Sequence, residues 1–234
     1  MATEQAAPST TDEERGKAKE VLAAEYSLLG ALLGATWSAS LSRTSIFLIT
    51  LSSAGIALGF AAQGGIEDGP FWGIALVVLP IVLFLGVTTF VRVVQLQREA
   101  IIYIAGLNRI RRFMQDSAPA AAPYFVLPRH DDFAATFRSP GTGMAGRPPR
   151  FQLLNLIAQT QGIVGVITSA VAAAFAGMAA APLGPVVAIA VVSPLAFVLV
   201  LAALMVYWQR SLRDVVSSMR PLYPTPPEEL DAPY

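Results

Sequence analysis

The stretch TSIFLITLSSAGIALGFAAQ (Thr44–Gln63) decides the fold class, because it is long, apolar and free of charged residues. An α-helix needs about 20 apolar residues to cross about 30 Å of hydrocarbon, so this stretch is long enough to span a bilayer. Three further stretches share its length and its lack of charge, namely Phe71–Val91, Gly162–Ala181 and Gly184–Tyr207. We therefore expect an all-α, polytopic membrane protein with four transmembrane helices and a helical cytoplasmic extension.

The positive charges predict how the spans are oriented. All 16 Lys and Arg residues lie outside the spans. They precede the first span, separate the second from the third or follow the fourth, whereas the connections Gly64–Pro70 and Pro182–Leu183 contain none. Basic segments stay on the cytoplasmic side. We therefore expect both termini and the central segment to be cytoplasmic, in the inner (plasma) membrane of the cell.

Composition narrows the classes of function. The chain has a formal net charge of zero and no cysteine. It therefore lacks the long-range field that attracts nucleic acid, and it cannot form disulfides, Cys-ligated metal sites or a thiol nucleophile. The four spans contain no Asp, Glu, Lys, Arg or His. They accordingly lack the ionisable groups on which proton-coupled transport depends, and membrane lipid is the partner that composition implies directly.

The stretch before the first span predicts a helix. Thr11 and Glu14 have the spacing of a capping box, and apolar residues recur at helical spacing through Glu13–Trp37. Gly30 and Gly34 form a GxxxG motif, which lets another helix approach closely. Two arrangements fit this pattern: packing against another helix, or burial in the lipid interface. Its acidic residues favour packing.

The segment after the second span carries a helical seam. No proline interrupts the chain between Pro80 and Pro119, so we expect the second span to continue as a cytoplasmic stalk helix to about Gln115. Apolar residues along the stalk follow 3-4-3-4 spacing over about three heptads, as in a coiled coil. This seam pairs either with the helix at 13–37 or with other copies in an oligomer. The candidate assembly face comprises Val93, Leu96, Ala100, Tyr103, Leu107, Ile110 and Met114.

Small residues in the spans predict close helix packing. Lipid tails give helices no hydrophobic reason to associate, so close backbone contact supplies much of the attraction. Gly55 and Gly59 form a GxxxG motif in the first span, and Ala173 and Gly177 stand four residues apart in the third. We expect these faces to pack on other spans, in the same chain or in another.

One cluster suggests acid–base or metal chemistry. His130, Asp131 and Asp132 include the sole histidine of the chain, but their adjacency does not place three metal ligands on one face. We interpret them as a turn or a local ion pair in a solvated loop. The basic group at 109–112 could bind anionic headgroups, although capping of its own helix or pairing with another helix is the simpler interpretation.

No nucleophile–base pair, metal set or cofactor loop is recognisable, so we predict no catalytic residue, metal or cofactor and do not expect an enzyme. The expected function is a self-assembling membrane protein, for example a pore or channel subunit. The alternative is a membrane anchor or accessory subunit that binds a cytoplasmic or membrane partner. A lipid-acting enzyme that uses His130 and Asp131 is a weaker alternative.

Several stretches resemble a large bacterial family of four-span integral membrane proteins that has no established activity. The resemblance is carried by WSASLSRTSIFLITLSSAGIALGFAAQ (37–63), LPIVLFLGVTTFVRVVQLQ (79–97), GLNRIRRFM (106–114) and PYFVLPRHDD (123–132). It implies the membrane architecture and no particular site. In layout, a cytosolic helix coupled to a helical hairpin is also similar to the two-span pore-forming effector domains of bacterial conflict systems.

These signals divide the chain into six segments, of which the last is expected to lack structure after Arg220. The segments are a cytoplasmic N-terminal helix (1–43), a first transmembrane hairpin (44–91), a cytoplasmic stalk helix (92–116), a cytoplasmic loop (117–150), a second transmembrane hairpin (151–208) and a cytoplasmic C-terminal tail (209–234).

Overall fold

A computed structural model describes residues 12–65, 69–138, 159–226 and 228 of the chain. Every regular element within these residues is helical, so the all-α prediction is confirmed for this part of the chain. The predictions that concern Thr11, the tip of the first connection, the segment 139–158 and the end of the tail lie outside the described residues.

Five helices account for most of the described residues. They are α1 (Asp12–Ala62), α2 (Gly69–Ser117), α3 (Phe133–Arg138), α4 (Thr160–Ala180) and α5 (Ser193–Ser218). A 3₁₀ turn at Pro119–Tyr124 follows α2, and short helical turns, Ala181–Leu183, Pro185–Val187 and the π-helical Ala188–Val192, lead from α4 into α5. Four helices are long and apolar enough to cross a membrane, which indicates a multi-pass membrane protein.

Helices α1 and α2 are unusually long. They contain 51 and 49 residues, or about 75 Å each at 1.5 Å per residue. The N-terminal helix expected at 13–37 and the first span form one element, because the sequence between them, 38–43, contains neither proline nor glycine. Helix α2 passes through Pro80 and ends just before Pro119, where the chain can no longer continue a helix.

The two long helices pack against each other as an antiparallel hairpin. Near the middle of α1, the buried Phe47 lies against Gly86 of α2, and further from the turn Leu29 lies against Gly106. A hydrophobic cluster between the first half of α1 and the second half of α2 comprises Leu33, Ala100, Ile104 and Leu107, flanked by Tyr26, Leu29 and Tyr103. The stalk seam was expected to pair either with the helix at 13–37 or with other copies. The structure shows the pairing with the helix at 13–37, within a single chain.

The second hairpin packs on α2. Phe90 of α2 lies against Gly165 of α4, and Gly86 lies against Thr168, so α4 runs antiparallel to α2. Trp208 of α5 is buried and donates a hydrogen bond from Nε1 to Gln97 Oε1 over 2.7 Å. The start of α1, the end of α2 and the end of α5 consequently lie at the same end of the bundle, which we call the open end.

Six hydroxyl groups in the spans donate within their own helices. Each of these donates to the carbonyl four residues earlier, at distances of 2.7 to 3.0 Å. This is the common arrangement of hydroxyls in membrane helices. The residues are Thr50, Ser52, Ser53, Thr88, Thr168 and Ser169.

Glycines of α2 and α4 permit the closest approaches between helices. A Cβ atom added at Gly86 would lie 2.6 Å from Thr168 Oγ1 and 3.1 Å from Phe47 Cε2. A Cβ at Gly165 would lie 3.1 Å from Phe90 Cε2, and one at Gly177 would collide with Ser193 Oγ. Gly177 therefore packs against another span of its own chain.

We predict that Gly86→Ala destabilises the fold by about 1–3 kcal/mol, because the added methyl group overpacks the junction of three helices. Gly73→Ala is the matched control on the same helix, since a Cβ at Gly73 meets no described atom within 4 Å and alanine favours a helix more than glycine does. Unfolding of the purified variants by a denaturing detergent measures the difference. Equal stability of the two variants would contradict the packing described.

Candidate functional site

The densest polar cluster of the described residues lies at the open end of the bundle. Four segments meet there: the first third of α1, the last third of α2, the loop at 128–132 and the tail at 222–225. We use the name tail-binding site for His130, Asp131, Asp132, Arg109 and Arg112.

Arg111 and Asn108 of α2 hold the loop in place. Asn108 Nδ2 donates to the carbonyl of His130 over 2.9 Å. Arg111 is 3% exposed, and its Nη1 donates to Asn108 Oδ1 over 2.7 Å and to the carbonyl of Pro128 over 2.6 Å. Its Nη2 donates to Tyr26 Oη over 3.1 Å, and its guanidinium lies 5.8 Å from the centre of the Tyr26 ring. Helix α2 thus holds the loop directly, and Tyr26 of α1 contacts the arginine that does so.

Asp131 binds the backbone of the tail. Its carboxylate is 1% exposed and accepts hydrogen bonds from the N–H of Leu222 (3.0 Å), the N–H of Tyr223 (2.8 Å) and Arg109 Nε (2.8 Å). Burial alone would raise the pKa of Asp131, but the two N–H groups and the Arg109 guanidinium outweigh burial and hold the pKa below its ordinary value. Asp131 therefore acts as a charged acceptor.

Asp132 binds the next part of the tail and also caps α3. Its Oδ1 accepts from the N–H of Ala135 over 2.9 Å, which satisfies a free donor at the start of that helix. Its Oδ2 accepts from the N–H of Thr225 over 2.8 Å, and its Oδ1 accepts from Thr225 Oγ1 over 2.9 Å. The two neighbouring carboxylates together take up three backbone N–H groups of one short segment.

The remaining contacts of the tail surround Tyr223. The N–H of Asp131 donates to the Tyr223 carbonyl over 3.3 Å, and His130 Nδ1 lies 3.3 Å from the same oxygen. The Arg112 guanidinium lies 5.8 Å from the centre of the Tyr223 ring, within the range of a cation–π interaction. The segment Leu222–Thr225 is therefore recognised along its backbone and by two of its side chains.

These contacts correct two predictions. The loop at 130–132 is not solvated, since His130 and Asp131 are 6% and 1% exposed. Asp131 does form an ion pair, but its partner Arg109 comes from α2 and not from the loop itself. The expectation that the tail lacks structure after Arg220 is wrong for Leu222–Thr225, because the buried carboxylates need the donors that this segment supplies.

The basic group at 109–112 has the structural role favoured from the sequence. Arg111 bridges α2 to α1 and to the loop, Arg109 pairs with Asp131, and Arg112 pairs with Asp116 over 3.0 Å. In the part of the chain that the structure describes, no three His, Asp or Glu side chains come close enough to hold a metal ion. The His130–Asp132 cluster is instead occupied by the tail.

The residues expected to mediate assembly fall into two groups. In the stalk seam, Val93, Leu96, Ala100, Leu107 and Ile110 are buried within one chain, and Tyr103 and Met114 are half-buried. The seam is therefore not an open surface. By contrast, Cβ atoms added at four glycines of α1 would meet nothing within 4 Å. They are Gly30, Gly34, Gly55 and Gly59. In α4, Ala173 is half-buried, and Gly177 contacts Ser193.

No family model, curated protein or solved structure matches this chain. Its function is therefore inferred from the arrangement of its own residues.

We predict that Asp131→Asn releases the tail, because a neutral amide accepts more weakly than a carboxylate and presents its own N–H groups to the tail. A lost hydrogen bond to a charged group costs about 1.5–3 kcal/mol. Hydrogen exchange at the amides of Leu222, Tyr223 and Thr225 should accelerate by an order of magnitude or more. Asp214→Asn is the control, since Asp214 is an exposed carboxylate on α5 and is not one of the residues of the tail-binding site.

The same contact predicts a dependence on pH. Because the folded-state pKa of Asp131 is lowered, its contribution is fully present above the ordinary carboxyl pKa and is lost as the pH falls through the lowered value. Tail amides in the wild-type chain should lose protection on acidification, after correction for the intrinsic exchange rate. Two results would contradict this role for Asp131. One is protection of the tail amides in Asp131→Asn equal to that in the wild-type chain, and the other is protection in the wild-type chain that rises on acidification.

Proposed function

We propose that this chain is a self-assembling integral membrane protein whose copies associate through the outer face of α1. The support comes from what α1 leaves uncovered. Only the face that bears residues such as Leu33 and Phe47 is buried, against α2. Among the described residues, most of the remainder of α1 is exposed, so a second helix can pack there without rearranging this part of the chain.

A repeat of small residues on this exposed face carries the proposal. Every seventh position from 24 to 59 is Ala, Ser or Gly, and each is exposed. The residues are Ala24, Ala31, Ser38, Ser45, Ser52 and Gly59. A seven-residue period keeps one seam in contact with a partner helix through a left-handed supercoil, and small residues let the two backbones approach closely. Ala24 and Gly59 are 35 residues apart, which corresponds to about 53 Å along a helix that rises 1.5 Å per residue.

The exposed glycines of α1 strengthen this assignment. Gly30, Gly34, Gly55 and Gly59 fall within about 60° of arc on a helix of 3.6 residues per turn. Glycine lowers helix stability relative to alanine by about 1 kcal/mol and presents no side chain to lipid. Such residues gain free energy chiefly where another backbone comes close, and no backbone in the described part of the chain does so here.

In the described residues, the interior of a single copy is filled by side chains. Phe47, Phe90 and Val164 are fully buried among the helices, and buried interiors of this kind are close-packed. If the assembly is a pore or channel, as the sequence suggests, the path runs between copies. In this proposal the open end and both termini lie on the cytoplasmic side of the inner membrane, which the positive-inside rule supports. Ion-flux assays on the assembled protein in liposomes would test conduction.

One observation favours the alternative of an accessory or anchor subunit. Val21, Leu28 and Leu32 are 67%, 53% and 38% exposed, and they lie on the part of α1 that precedes Arg43 and therefore projects beyond the hydrocarbon. An apolar surface in water is a typical site for a protein partner. The native mass of the gently extracted protein distinguishes the two, since self-assembly gives a multiple of 24.8 kDa and an accessory subunit retains a foreign chain.

We predict that Ser52→Ile combined with Gly59→Ile weakens self-association at least tenfold, because large side chains on the seam hold the backbones apart; tenfold corresponds to about 1.4 kcal/mol. Ala57→Ile is the matched control, since Ala57 is also exposed on α1 but faces away from the seam. Energy transfer between labelled copies in liposomes measures the dissociation. An identical response of seam and control variants would contradict the proposed interface.

A further inference from the structure

The tail-binding site has the properties of a peptide-recognition site. In the segment Leu222–Thr225, the N–H groups of Leu222, Tyr223 and Thr225 are all bound by Asp131 or Asp132. The position that neither carboxylate contacts is Pro224, which has no N–H to offer. The match between donors and acceptors is thus complete for a segment with proline at its third position.

Side-chain contacts add selectivity to this backbone recognition. The second position of the segment places an aromatic ring near the Arg112 guanidinium, and the fourth donates a hydroxyl hydrogen bond to Asp132. Leu222, at the first position, is 64% exposed and is read only through its N–H group. The ligand that fits is therefore a short peptide in which an aromatic residue, Pro and Thr follow a first residue of any type that has an N–H group.

The tail is held in a way that permits exchange. Its contacts are mostly hydrogen bonds to two carboxylates, while Leu222, Pro221 and Pro224 remain exposed. Segments that bury little apolar surface open locally at a small fraction of the global unfolding free energy. When the tail opens, Asp131 and Asp132 stay in position, because α2 holds the loop through Asn108 and Arg111.

We propose that the tail-binding site is a recognition site for a short peptide with the sequence aromatic–Pro–Thr after one residue of any type that has an N–H group, and that it accepts the tail of a second copy in place of its own. Every copy carries the one segment that is seen to fit. The source of the second tail rests on the proposed self-assembly, which brings copies together and raises the local concentration of tails. Recognition of a free peptide does not depend on it.

The first experiment uses a full-length chain whose own tail cannot compete. Tyr223→Pro with Thr225→Pro removes two of the three N–H donors, the ring and the hydroxyl while leaving the helices unchanged. A fluorescent peptide with the sequence of residues 219–228 is titrated onto this chain in detergent. We expect saturable binding, at least tenfold weaker when Asp131→Asn is added or when the peptide carries alanine for the tyrosine and valine for the threonine. Absence of binding to the folded variant would overturn the recognition site.

The second experiment identifies the source of the ligand. The double-proline chain is mixed in liposomes with an isotope-labelled chain that carries Asp131→Asn and Asp132→Asn and therefore has an intact tail but a defective site. We expect the labelled tail to exchange its amide hydrogens at least tenfold more slowly in the mixture than alone, because it enters the vacant sites. Equal exchange rates with normal peptide binding would overturn the role of a second copy. Association through α1 is measured separately, by energy transfer with the seam variants Ser52→Ile and Gly59→Ile. That measurement tests self-assembly, whereas the peptide titration tests the recognition site.

Discussion

The packing of α1 against α2 is the constraint on which the rest of the structure depends. It extends from Phe47 and Gly86 within the apolar region to Tyr26 and Arg111 at the open end. In the proposed membrane arrangement, Gly86 lies in lipid, where apolar side chains need no partner and close helix approach supplies the contact. The cluster around Leu33 would then lie in water, where the hydrophobic effect favours its burial. One continuous hairpin would thus meet two different solvents.

The hairpin also builds the polar cluster at the open end. Arg111 holds the loop at Pro128, and Tyr26 of α1 and Asn108 of α2 orient its guanidinium. Asn108 then places the His130 carbonyl, and the neighbouring carboxylates bind the tail. The order of dependence runs from helix packing to loop position to tail recognition, so the functional proposals for α1 and for the tail share one scaffold while using opposite faces of it.

Most of the fold could be predicted from the sequence, since uncharged runs of about 20 residues have few alternatives to membrane helices. The 3-4-3-4 spacing predicted a packed seam but not its partner, because an intramolecular and an intermolecular helix satisfy the same pattern. The tail site was missed, since its donors are backbone N–H groups that any sequence supplies. The seven-residue repeat of small residues from Ala24 to Gly59 was visible in the sequence, but only the structure shows that this face is uncovered.

The most direct test of this account is a short thiol-to-thiol cross-link between Leu29→Cys and Gly106→Cys, since the native chain has no cysteine and a Cβ at Gly106 would lie 3.0 Å from Leu29 Cδ1. The measurement is the size of the cross-linked product under denaturing conditions after treatment in the membrane. A closed hairpin predicts a cross-link within one chain and a product of monomer size. A product of dimer size would instead show that the seam joins separate copies, and it would contradict the account.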